Sequence, residues 1–142
     1  MTTKELGACL CGDFKYHFDR EQVMSAHHCH CKDCRTITGS GKATIVMVPT
    51  ESLNMDGELK TFSVIGTDGA HVTRAFCANC GSQLISYLEE IPTIRFVKAG
   101  TLADSSWVKI DSSFWSCTAE SWSPVDTTAE AFDKNPPLDG LG

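Results

Sequence analysis

The chain has 142 residues, 42% of them hydrophobic, with eight cysteines and a formal charge of −6. That is long enough for one domain with its own core and no need of disulfide staples, and an acidic surface repels phosphate backbones, which argues against a nucleic-acid zinc ribbon. No stretch approaches the roughly 18 apolar residues of a membrane helix and residues 1–7 carry no signal-peptide apolar run, so the expectation is a cytoplasmic protein without nucleic-acid or membrane partners, whose thiols stay reduced.

In chain order the first chemical feature is Cys9-Leu10-Cys11-Gly12. On an extended segment residues i and i+2 project to the same side, so both sulfurs can reach one metal. Residues 13–18 alternate with period two and predict a strand. Cys29-His30-Cys31-Lys32-Asp33-Cys34 then offers three thiols from one short segment. His30, between two of them, is expected to point away from their metal; His27 and His28 are each able to supply a fourth ligand there. Residues 32–38 read as the only helical turn, stopped by Gly39. Residues 43–48 alternate less cleanly but are rich in β-branched side chains, and further strands are predicted over 60–64, 71–76, 83–87, 94–99 and 107–110. Asp56-Gly57, Asp68-Gly69 and Asn79-Cys80-Gly81 punctuate them. In Cys77-Ala78-Asn79-Cys80 two thiols face one ion across a tight turn, with Gly81 supplying the permissive backbone. Phe114, Trp115 and Trp122 read as core, and Cys117 as a small buried hydrophobe rather than a reactive thiol. The tail, 123–142, carries Pro124, Pro136, Pro137 and several acids and is expected to lie over the surface or fray. There are no repeats and no linker, so residues 1–142 read as a single all-β domain of several small sheets.

The three cysteine clusters supply two, three and two thiols. A structural zinc takes four ligands and closes, whereas a catalytic zinc keeps a position open; seven thiols suit one site of each kind. Spacing alone leaves the grouping undecided, because two and two can close one site or three and two can share one. Lys32 and Arg35 flank the middle cluster and are suited to receive ligand carboxylates, with Arg74, Thr38, Ser40 and Lys42 as weaker candidates.

Gly7-Ala8-Cys9-Leu10-Cys11-Gly12, the run from Cys29 through Arg35-Thr36-Ile37-Thr38-Gly39, Phe76-Cys77-Ala78-Asn79-Cys80-Gly81-Ser82-Gln83-Leu84 and Ala99-Gly100-Thr101-Leu102 together resemble, in order, the glutathione-dependent formaldehyde-activating enzyme family. The resemblance runs from about Gly7 to Trp122. It implies a β-tent of several small coiled sheets around a structural zinc on Cys9, Cys11, Cys77 and Cys80. It implies a second, substrate-side zinc, the catalytic one, on Cys29, Cys31 and Cys34. A fourth thiolate there would bring the site to about −2, so this zinc is expected to be labile. Lys32 and Arg35, by flanking the cysteines, are the candidates for the glutathione carboxylates. The activity implied is that of a carbon–sulfur lyase like S-hydroxymethylglutathione synthase, with a small-molecule thiol (glutathione or similar) and an aldehyde such as formaldehyde as substrates. The chain departs from the pattern where a His is implied near Ser113, a Lys near Ala119 and a second basic residue at Thr36. Two other readings use the same residues: a non-catalytic zinc-stabilised binding module, and a thiol reductase using Cys117.

Overall fold

The computed structural model describes residues 3–137. Its strands and one helix are, in chain order, β1 (Lys4–Ala8), β2 (Lys15–Asp19), β3 (Ser25–Cys29), α1 (Lys32–Thr38), β4 (Ala43–Pro49), β5 (Asn54–Asp56), β6 (Lys60–Ile65), β7 (His71–Phe76), β8 (Gln83–Leu88), β9 (Ile94–Lys98), β10 (Ser112–Phe114) and β11 (Glu130–Ala131). β1, β2 and β5 form a three-stranded sheet, and the others an eight-stranded sheet in the order β11-β10-β3-β4-β9-β8-β7-β6. The protein is strand-rich, as its alternating and β-branched runs predict. No helix among the described residues is long and apolar enough to cross a membrane.

The imperfect alternation of residues 43–48 has a simple cause. Ile45 and Met47 point to one side of β4, Val46 and Val48 to the other, and all four are buried. A strand covered on both faces reads as a continuous apolar run. One row of paired residues, Ala75–Ile85–Val97–Val46–Ala26, crosses β7, β8, β9, β4 and β3. It packs against Phe14, Tyr16 and Phe18 at the three-stranded sheet, and each large apolar side chain there contributes roughly 1.5–3 kcal/mol by burial. One residue along, on the opposite face, runs the row Arg74–Ser86–Phe96–Met47–Ser25. Successive side chains alternate across a strand, so the same five strands build one core on one face and, on the other, a second apolar cluster that includes Met47 and Phe96.

Where the first sheet meets the second, Gly7 lies directly opposite Tyr16. A Cβ at Gly7 would stand 2.1 Å from the Tyr16 ring, so only glycine lets the ring lie across β1. There its hydroxyl bonds Thr101 Oγ1 at 2.7 Å.

One sequence expectation needs correction. Residues 107–110 join no ladder. Trp107 instead sets its ring against Phe18 at 6.4 Å beneath the Arg20 guanidinium at 5.1 Å, and its indole N–H donates to Asp104 O at 2.7 Å. Over its described part the tail lies along the surface, the first of its two expected outcomes. β11 pairs parallel with β10, Phe132 N donates to Ser113 O at 2.8 Å and Trp115 N to Lys134 O at 3.1 Å.

Candidate metal centre

The first cluster is built by two turns. After β1 the chain reverses through Cys9 to Gly12, which is left-handed at φ 83° and donates its amide to Cys9 O at 3.1 Å. The Cys9 sulfur accepts the Phe14 amide at 3.3 Å. The β7–β8 turn repeats the plan: Gly81, at φ 78°, donates to Cys77 O at 2.8 Å. Together the turns place the sulfurs of Cys9, Cys11, Cys77 and Cys80 within 4.8 Å of one another, with Cys9–Cys11 at 3.5 Å and Cys11–Cys77 at 3.7 Å. Tetrahedral zinc with bonds of about 2.3 Å spaces its sulfurs about 3.8 Å apart. Four soft donors at this spacing fit that ion. The Ser82 hydroxyl at 3.2 Å and then its backbone draw the Cys80 thiol down to about 5, toward the thiolate a metal requires.

The second cluster forms where β3 runs into α1. Cys29 ends the strand, and Cys31 caps the helix, its sulfur accepting the Cys34 amide at 3.2 Å. Gly39 closes the far end at φ 69°, as the sequence predicts. The sulfurs of Cys29, Cys31 and Cys34 lie within 4.8 Å of one another, and among the described residues no fourth ligand atom joins the group. Hydrogen bonds from Cys29 and Cys31, reinforced by Lys98 and Arg74, draw the Cys34 thiol down to about 2 against the opposing effect of burial.

Two of the three neighbouring histidines are occupied elsewhere. His27 bonds Ser112 Oγ at 2.6 Å and Ser25 Oγ at 2.7 Å. His28 bonds Thr44 Oγ1 at 2.9 Å from the face opposite Cys29. His30 is fully buried, and neither ring nitrogen has a hydrogen-bond partner. Its ring neighbours that of His28 at 6.4 Å.

The three sulfurs of the second cluster line a cavity of about 360 Å³ whose other walls include Ile45, Met47, Phe96 and Phe114. A larger hollow of about 800 Å³ runs along β1 and β2. It touches a single cysteine, Cys9 of the four-cysteine group, whereas the smaller cavity gathers all three sulfurs of the open cluster and is the chemical one. Lys32 lines this cavity. Arg35 does not; its Nη1 donates to Glu120 Oε1 at 2.7 Å. Of the weaker candidates only Arg74 lines it, together with Lys98, which the sequence showed merely as part of a strand. Arg74 is 6% exposed and its Nη2 stands 3.9 Å from Cys34 Sγ. The Lys98 ammonium donates to Ser86 Oγ at 2.8 Å. Arg74 was already a candidate in the sequence, whereas Lys98 became legible only with the sheet register.

Three side chains differ from expectation. Cys117 is exposed rather than buried, because it sits in a short 3-10 turn on the surface, and it does not line the cavity. Trp115, expected in the core, is only partly buried against it and also lines the cavity, and it is the one non-glycine among the described residues with positive φ, at 57°. Trp122 is 67% exposed. Phe114 is buried as expected.

Fold and sulfurs together define a cysteine-rich β protein with two clusters suited to a soft divalent metal. The family described as glutathione-dependent formaldehyde-activating enzyme matches residues 4–118, and the chain belongs to that family. No curated protein sequence matches it. A crystal structure of a Rhodobacter sphaeroides protein is similar in fold, with a TM-score of 0.54 and 20% identity over 69% of this chain and 87% of that one. Both cysteine clusters lie within the family match, whereas Asn135 and Pro136, which also line the cavity, lie beyond it.

Proposed function

We propose that this protein is a carbon–sulfur lyase of the S-hydroxymethylglutathione synthase type, joining a thiol (glutathione or similar) to an aldehyde such as formaldehyde. The observation that carries the reading is the three-sulfur cluster set in a cavity wall within a member of the formaldehyde-activating family. In this reading Cys9, Cys11, Cys77 and Cys80 hold a structural zinc, and Cys29, Cys31 and Cys34 hold a catalytic one.

In the forward direction a bond forms between the thiol sulfur and the aldehyde carbon. The carbonyl π pair moves onto oxygen, and the proton lost from the thiol ends there, giving a hemithioacetal; the reverse reaction breaks the same carbon–sulfur bond. A free thiol with a pKa near 8.5 offers only a few per cent thiolate at neutral pH; a zinc held by Cys29, Cys31 and Cys34 would supply the chemistry that favours the thiol as its anion. Those three residues fix where that chemistry lies. Ile45, Met47, Phe96 and Phe114 keep the reacting end poor in water, and Lys32, exposed beside the sulfurs, is placed to meet a substrate carboxylate. A cytoplasmic location, where thiols stay reduced, agrees with seven clustered unpaired cysteines.

Exchange NMR on mixtures of glutathione and formaldehyde tests the reading. The zinc-loaded protein is expected to accelerate interconversion of free and hydroxymethylated glutathione. An unchanged rate at stoichiometric protein would reject catalysis of this reaction.

A further inference from the structure

Three thiolates around a divalent zinc leave a site of about −1, and a fourth thiolate brings it to about −2. A thiol entering as an anion is therefore opposed by charge already present. The structure surrounds this cluster with two cations. Arg74 on β7 is buried, with Nη2 3.9 Å from Cys34 Sγ. Lys98 on β9 is held by Ser86 on the strand between them. Ser86 stands directly opposite Arg74 on one side and Phe96, two residues from Lys98, on the other. The register thus places both cations on the cavity face, flanking one hydroxyl.

Neither cation has a carboxylate partner. The ion pairs among the described residues are Arg20–Glu5, Arg35–Glu120 and His71–Glu90. A buried cation such as Arg74, or a half-buried one such as Lys98, is unfavourable without counter-charge, and the sulfurs are the anionic groups at hand. The acids that line the cavity, Asp33 and Asp68, are both exposed, and Asp68 Oδ2 accepts a hydrogen bond from Asn135 Nδ2 at 2.6 Å.

We propose that Arg74 and Lys98 are positioning residues that set the charge selectivity of the open site. Their two positive charges offset those of three protein thiolates, one zinc and one substrate thiolate, so the cavity takes a thiol as its anion in preference to a neutral ligand. The inference rests on the proposed metal role of Cys29, Cys31 and Cys34.

The test uses full-length protein loaded with cobalt, whose absorption reports each new sulfur or nitrogen ligand. It is titrated with 2-mercaptoethanol, which binds as an anion, and with imidazole, which binds neutral. Arg74→Gln and Lys98→Met are each expected to weaken mercaptoethanol binding about tenfold or more while leaving imidazole within about twofold. Arg74→Lys should restore most of the mercaptoethanol affinity, and it also serves if the glutamine variant folds poorly. Equal weakening of both ligands, or of neither, overturns the charge role while leaving the open site in place. One metal per chain, or a cobalt spectrum that no ligand perturbs, overturns the open-site reading and this inference with it.

Discussion

Cys77 and Cys31 both belong to closely spaced cysteine clusters, yet the structure gives them unequal weight. Cys77 is buried beneath the turn that joins β7 to β8, and its sulfur meets partners 66 and more residues away in sequence. Cys31 sits at the start of α1, where its sulfur accepts one amide from the same segment. Serine is a favoured residue at a helix N-cap, so Cys31→Ser keeps that local bond. Cys77→Ser is expected to lower the melting temperature by roughly 10 °C or more, since a structural zinc contributes folding free energy directly. Cys31→Ser is expected to stay within about 3 °C of wild type while losing metal at the second cluster. Calorimetry with metal analysis checks both, and equal melting losses would show that the division of roles is mistaken. The cysteines themselves were plain in the sequence. Arg74 and Lys98 were not prominent, because an isolated basic residue in a strand carries no spacing signal. Arg35, adjacent to Cys34, drew attention by proximity alone, and the structure pairs it with Glu120.

Elements with a strong period were legible, and those shaped by a partner were not. β7 falls on residues 71–76 and α1 on residues 32–38, as their patterns predict. β3, with Ser25, two histidines and Cys29, has no apolar alternation, and it forms because β4 and β10 flank it on either side. β11 has two residues and exists only as an addition to β10. Beyond it the chain is fastened by Asn135, which donates to Asp68 at the β6–β7 turn and accepts from the Trp115 indole at 2.9 Å. This strap closes one wall of the cavity and braces the left-handed Trp115. Asn135→Ala removes two hydrogen bonds worth about 1 kcal/mol each at most, less where exposed. The Trp115 amide, bonded to Lys134 O, should then exchange with solvent roughly tenfold faster. The Val46 amide in the middle of the sheet should keep its rate. Hydrogen exchange reads both, and an unchanged Trp115 amide would show that the strap holds without Asn135.

On the scale of the molecule the two clusters differ in what they tie together. The first joins the turn after β1 to the turn after β7, closing about 70 residues of chain and clamping the three-stranded sheet to the eight-stranded one. The second joins residues 29, 31 and 34 and closes almost nothing. Loop-closure entropy therefore favours the first as the stabilising site. Graded chelation of zinc-loaded protein is expected to release one equivalent with the circular dichroism unchanged, and the second only as the fold is lost. Simultaneous release of both would contradict that order. By itself the sequence determined the strand-rich class, the family and the seven clustered thiols, because short-range spacing and period are written in consecutive residues. Which clusters converge, which face of the sheet carries Arg74 and Lys98, and that the tail walls the cavity were decided only in three dimensions. Strand register brings together residues far apart in the chain, and no local pattern records it.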